Sequence, residues 1–209
     1  MKILVVSDKE SRKIWDFYEP GMLYKYDLIL SCGDLNPYYL QFLATMSRAE
    51  ILYVHGNHDT KYEKIPPEGC ENIDGRIYDF RGLQILGLGG CMRYKPDAKH
   101  QYTEKEMERR IRKLWFQLRK KKGFDILLAH APAKGLNDGS DMPHTGFEAF
   151  LKLMDTYHPK YFLHGHVHKD YSDGFRRESS YGDTVVINAY ETYELEIPDP
   201  EPGRRSRKR

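Results

Sequence analysis

The sequence predicts a layered α/β sandwich with mixed sheets, and three observations carry that prediction. Short apolar runs rich in β-branched and large aliphatic residues recur along the chain and stop at turn residues. Helical patterns with their own start signals separate the earlier runs. The last runs follow one another with no helix between them.

The strand-like runs are Ile3 to Val6, Asp27 to Ser31, Ile51 to Val54, Ile77 to Phe80, Gln84 to Leu88, Ile126 to Ala129, Tyr161 to Leu163, Thr184 to Ile187 and Thr192 to Ile197. Arg81-Gly82, between two of them, predicts a hairpin. Asn36-Pro37 opens a helix that runs to about Met46: Asn can accept orphan N–H bonds, and Pro at the first helical position loses nothing. Thr103 and Glu106 have capping-box spacing and open a long helix toward Lys122, with Met107, Ile111, Leu114, Trp115 and Leu118 on one face. Thr145 and Glu148 repeat that spacing ahead of a helix through about Thr156. No internal repeat or interior linker is visible, so one domain is expected over residues 1–197, followed by a flexible basic tail over 198–209.

Hydrophobic residues at 40% and charged ones at 31% exclude a disordered chain, and 209 residues are enough for one sizeable core. A net charge of +2 gives no molecule-wide field toward nucleic acid. Local runs do: Gly203 to Arg209 holds five Lys or Arg, and the segment from Arg109 to Lys122 is basic, so nucleic acid stays a possible but unfavoured partner. The apolar run at Ile3 is too short for a signal peptide or a membrane span. Cys32, Cys70 and Cys91 lack CxxC spacing. Together these predict a cytoplasmic protein with no membrane partner.

Polar residues able to bind metals follow the strands in turn. Asp8 follows the first, Asp34 the second, and Asn57, His58 and Asp59 the third. His130 follows the Ile126 run, and His164, His166 and His168 follow the Tyr161 run. Strand carboxyl ends line the ligand crevice of open α/β sheets, so this pattern gathers carboxylate, amide and imidazole at one rim. A carboxylate between two divalent cations can bridge them, and Asp34 is the natural candidate. Imidazole with carboxylate suits Mn, Fe, Zn or Ni. Two such ions can clamp a phosphoryl oxygen and lower the pKa of a water.

Gly33-Asp34, Gly56-Asn57-His58-Asp59, His130 and Gly165-His166-Val167-His168 occur in the order found in calcineurin-like metallophosphoesterases, which the chain resembles from Met1 to about Asn188. The segment His130-Ala131-Pro132, followed by Gly135 and Asp138, is similar to small cytosolic phosphodiesterase-like members. The resemblance implies a four-layer α/β/β/α sandwich with two mixed β-sheets, of the metallo-dependent phosphatase-like type. It also implies two divalent metal ions, Mn first, with Fe, Zn or Ni as alternatives. Asp34 would bridge them, Asp8 and His168 would complete one site, and Asn57, His130 and His166 the other. His58 would stabilise the transition state or protonate the leaving oxygen, with Asp59 holding its ring.

The first motif departs from the family's usual Asp-x-His and reads Asp8-Lys9-Glu10. In one reading Glu10 is an oxygen ligand that tilts preference toward harder ions such as Mn, and it is counted here with the metal ligands. In the other it faces solvent or caps the next segment. Arg93, in a loop after Gly89-Gly90, is expected to clamp phosphate, a surface salt bridge being the alternative. His144, near Asp141, is expected to line the pocket. His164 is expected to pack or hydrogen-bond below the site, with His55, His100 and His158 structural or exposed.

The expected function is hydrolysis of a small phosphodiester or phosphomonoester by metal-activated water or hydroxide at a dinuclear site. The alternatives are a catalytically weakened scaffold of the same fold, or a nuclease using the basic helix and tail.

Overall fold

The computed structural model describes residues 1–168 and 175–199, so the basic tail expected at the end of the chain lies, from Pro200 on, outside the described residues. One sheet holds β1 (Lys2–Ser7), β2 (Leu28–Ser31), β3 (Glu50–Tyr53), β4 (Cys70–Asn72) and β13 (Glu191–Glu196), in the order β13-β1-β2-β3-β4. The pairs β1–β2, β2–β3 and β3–β4 are parallel, and β13 runs antiparallel to β1. The second sheet holds β5 (Ile77–Phe80), β6 (Leu83–Leu88), β9 (Ile126–Ala129), β10 (Tyr161–His164), β11 (Glu178–Tyr181) and β12 (Thr184–Asn188), in the order β11-β12-β10-β9-β6-β5. Its four central strands are parallel and its two edge strands antiparallel. Between β6 and β9, β7 (Cys91–Met92) and β8 (Gln101–Tyr102) form a small parallel pair.

The period of two along each strand divides the core into layers. Ile3 and Val5 of β1 and Leu28 and Leu30 of β2 meet Ile85, Ile126, Leu128 and Leu163 of the other sheet in a fully buried cluster. The alternate residues Leu4, Val6 and Ile29 face α1 (Arg12–Trp15) and α2 (Pro37–Met46) through Ile14, Tyr39, Leu40 and Leu43. On the opposite side Leu86, Leu127 and Phe162 face α3 (Glu104–Lys113), α4 (Trp115–Lys121) and α5 (Glu148–Tyr157) through Met107, Leu118, Phe150 and Leu153. This is the four-layer α/β/β/α sandwich with two mixed β-sheets.

Local signals explain most boundaries. Asn36 caps α2, its Oδ1 accepting from the Tyr38 N–H at 3.1 Å, with Pro37 at the first helical position. Arg81 and Gly82 both have positive φ (51° and 96°), the geometry of the predicted hairpin turn. Thr103 and Glu106 form the expected capping box.

Two helix expectations need correction. The helix toward Lys122 breaks at Leu114, where ψ is −1° and the Leu114 N–H bonds the Ile111 carbonyl in a tightened turn. The break turns Trp115, expected on the buried face, out to 48% exposure. Thr145 does not cap α5. The N-cap position is Phe147, and the first-turn N–H groups of Glu148 and Ala149 are accepted by the Glu104 carboxylate of α3 at 3.1 and 2.6 Å. Among the described residues, no helix is long and apolar enough to cross a membrane.

Candidate metal centre

The loops after β1, β2, β3, β9 and β10 converge because these strands are parallel within their sheets and end at one rim of the sandwich. The close approach requires glycine, as Gly56 and Gly165 show. A Cβ on Gly56 would lie 2.0 Å from Asp34 Oδ1, and one on Gly165 would lie 1.9 Å from Ser7 Oγ and 2.3 Å from Asp8 Oδ2. Asp8, Asp34 and His166 all sit in left-handed backbone conformations (φ 64°, 57° and 69°), an arrangement that costs about 1–3 kcal/mol per residue and persists only where the surroundings enforce it.

A cavity of about 440 Å³ is lined by Asp8, Asp34, Asn57, His58, Tyr94, Pro143, His144, His166 and His168. Beside it, ligand atoms of Asp34, His130 and His166 lie within 4.8 Å of one another. His130 is fully buried. Its Nδ1 is 2.9 Å from the Cys32 carbonyl, while Nε2 faces Asn57 Oδ1 at 3.0 Å and Asp34 Oδ2 at 3.3 Å. Burial opposes charge on His130, but the Asp34 carboxylate outweighs burial and raises its pKa. Burial likewise pushes Asp34 up, yet His130 and the His58 N–H, 2.7 Å from Asp34 Oδ1, hold it below the usual carboxylate range.

His166 is the opposite case. Burial, and then the charge on His130, lower its pKa, which leaves a neutral imidazole. Its Nε2 is 2.7 Å from the Pro143 carbonyl, so that nitrogen carries the proton and Nδ1 keeps a free lone pair. Asp8 accepts from the His166 backbone N–H at 3.0 and 2.9 Å and lies 3.6 Å from His168 Nε2, whose ring packs on Tyr190. Asn57 Nδ2 donates to the Tyr94 hydroxyl at 3.3 Å. A carboxylate, a neutral imidazole and a second imidazole oriented by a carbonyl form a donor set suited to divalent transition metals, so the residues present fit such an ion.

The structure thus brings together Asp8, Asp34, Asn57, His58, His130, His166, His168 and His144. Three expected site residues take other places. Glu10 Oε1 accepts from the Asn36 backbone N–H at 2.9 Å, at the start of α2, and does not line the cavity. Arg93 donates to the Gln101 carbonyl at 3.1 Å and pairs with the capping-box carboxylate of Glu106 at 2.9 Å. Asp59 does not hold the exposed His58 ring. Its buried Oδ2 accepts from the backbone N–H groups of Asp34 at 2.8 Å and Gly56 at 2.7 Å, tying two ligand-bearing loops together.

His144 has the carboxylate partner expected of His58: both Asp141 oxygens lie 2.8 Å from its Nδ1, and its ring stands 5.1 Å from that of His166. The nearness of Asp141 in sequence already pointed to this pair, whereas nothing in the sequence pointed to Tyr94 against Asn57. His164 sits below the site with Nδ1 3.0 Å from the Gly165 carbonyl, its pKa lowered to about 4 by burial. His158 ends α5 with φ 47°, and His55 and His100 stack at 4.4 Å.

Two mixed sheets between helical layers, with carboxylate, amide and imidazole at one rim, define a protein of the metallo-dependent phosphatase-like fold. The family model for calcineurin-like phosphoesterases matches residues 1–170, and the chain belongs to that family. Membership makes it, in general terms, a metal-dependent phosphoesterase. An uncharacterised protein of Methanocaldococcus jannaschii is 25% identical over 175 residues, covering 78% of this chain and 76% of the relative. A solved crystal structure shares the fold at TM-score 0.67 and 15% identity, covering 93% of this chain and 94% of its own. The Thermus thermophilus sulfate thiohydrolase SoxB in complex with glycerol aligns at TM-score 0.44 and 14% identity, over 78% of this chain and 33% of that one.

Proposed function

We propose that the chain hydrolyses a small organic phosphodiester or phosphomonoester at a dinuclear centre holding Mn, Fe, Zn or Ni. The observation that carries this reading is the meeting of Asp34, His130 and His166 within 4.8 Å beside a cavity that also presents Asp8, Asn57 and His168. Asp34 would bridge the two ions, with Asp8 and His168 holding one and Asn57, His130 and His166 the other, and bound there the ions would supply Lewis acidity to water and to a phosphoryl oxygen.

The chain's own groups do the rest. The His130 Nδ1–H bond to Cys32 and the His166 Nε2–H bond to Pro143 fix which ring nitrogens face the metals. His58 stands exposed at the cavity and donates toward the phosphoryl or leaving oxygen. His144, held by Asp141, orients the substrate from the opposite lining. Asp59 and Glu10 serve by position, holding the loops that carry Asp34 and the start of α2. The free cysteines Cys32, Cys70 and Cys91 are consistent with a cytoplasmic setting.

Protein stripped with a chelator and reloaded separately with Mn, Fe, Ni or Zn should recover hydrolysis of an aryl phosphodiester or its monoester with at least one metal. Silence with all of them, on both substrates, would favour a non-catalytic scaffold.

A further inference from the structure

A second and larger cavity, of about 830 Å³, lies between α3, α4 and α5 and shares no lining residue with the metal centre. Ile111, Leu118, Leu153 and Tyr157 line it together with Trp115 and Phe116, which are 48% and 77% exposed. Two neighbouring aromatic rings left this open on an apolar groove mark an interaction surface rather than a surface evolved only to face water. We propose that this groove docks an acidic amphipathic helix of a partner protein.

Charge selects that occupant. From Arg109 to Lys122 the chain carries eight Lys or Arg and no Asp or Glu. Arg112 and Lys113 line the groove as its cationic rim, and Arg119 lies over the Trp115 ring at 5.3 Å. The acid at this rim, Glu108, is already paired with Lys152 at 2.6 Å. A partner that buries the aromatics must therefore bring negative charge with its apolar face. The chain's own C-terminal segment does not qualify, since Gly203 to Arg209 holds five Lys or Arg. A second copy would set one cationic rim against another.

Shape narrows the choice further. A flat bilayer leaves a concavity unfilled, and single-stranded nucleic acid stacks on open aromatic platforms rather than over an aliphatic floor. A helix that places apolar residues at i, i+3, i+4 and i+7 into the groove, with Glu or Asp along its flanks, satisfies both the floor and the rim.

The test uses the full chain carrying Trp15→Phe, so that Trp115 is the sole remaining tryptophan of the two. The probe is a synthetic amphipathic helix with Leu at those positions and Glu elsewhere, and the control replaces each Glu by Lys. The acidic peptide should shift Trp115 emission to the blue, saturably, while the basic peptide should leave it unchanged. Phe116→Ser should weaken binding at least tenfold, and Arg112→Glu with Lys113→Glu should reverse the preference between the peptides. Neither change touches the metal centre, and circular dichroism with thermal melting checks that the variants are folded. Equal response to both peptides, or an unaltered Phe116→Ser titration, overturns the proposal. So does a Trp115 shift obtained with anionic vesicles, single-stranded RNA or self-association but not with the acidic peptide.

Discussion

Replacing Asp59 by Ala leaves the backbone N–H groups of Asp34 and Gly56 without the acceptor that now lies 2.8 and 2.7 Å away. The side chain is buried at 3% exposure, so water does not readily replace it. A buried unsatisfied donor costs about 1–3 kcal/mol, so two predict a loss of roughly 2–6 kcal/mol, a large part of the ~5–15 kcal/mol that stabilises a typical domain. Asp59→Asn should behave quite differently. Its amide oxygen can take the place of Oδ2 and accept both bonds. Burial, and then the Asp34 charge, push the Asp59 carboxyl above its ordinary pKa, so a neutral amide also relieves an unfavourable charge.

Urea unfolding read by circular dichroism should therefore put Asp59→Asn near or above the wild type and Asp59→Ala several kcal/mol below it. The kcat/KM of the metal-loaded Asn variant should remain within about tenfold, since its loss would correspond to no more than ~1.4 kcal/mol. If Asp59 instead orients His58 for proton transfer, the Asn variant would lose activity by about 10²–10⁴ while keeping its stability, and the anchoring account would be refuted.

His58→Ala should lower kcat by about 10²–10⁴ without lowering the melting temperature, because its ring is exposed and supports no packing; a fold-level loss seen by calorimetry would argue against this. Glu104→Ala should destabilise by about 0.5–2 kcal/mol, since it removes the cap on the Glu148 and Ala149 N–H groups, and chemical denaturation with an unchanged midpoint would contradict the cross-helix cap. Asp74 is buried. Burial pushes its carboxyl up, but His55, Arg110 and the Gly89 N–H outweigh burial and lower its pKa. With the folded-state value below the unfolded one, its stabilisation is present above roughly pH 4 and is lost as pH falls through the folded-state value. Asp74→Asn should flatten the acid limb of the stability profile, and an unchanged slope would remove Asp74 from that transition.

Much of this molecule was legible in its sequence where several signals coincide. The buried strands from Ile3 to Val6 and from Ile126 to Ala129 announce themselves as apolar runs because both faces are covered. Asn36-Pro37 marks α2 because cap and first-turn chemistry are local. β4 and β11 went unseen: each is a polar strand at the outer edge of its sheet, and only pairing makes it a strand. The failed capping box at Thr145 has a related cause, since the cap of α5 comes from Glu104, a residue distant in sequence.

The site divides in the same way. Asp8, Asp34, Asn57, His130, His166 and His168 follow strand ends, and parallel pairing within each sheet together with the packing of the two sheets delivers them to one rim. The roles of Glu10, Arg93 and Asp59 depend on which partner lies nearest, Asn36, Glu106 or the Asp34 backbone, and residue type does not encode that choice.

The most direct test of the proposed centre is anomalous diffraction from crystals of the protein loaded with Mn. Two peaks about 3.5–4 Å apart should flank the Asp34 carboxylate, one held by Asp8 and His168 and the other by Asn57, His130 and His166. A single peak, or a pair that leaves Asp34 outside the coordination of either ion, would contradict the dinuclear account.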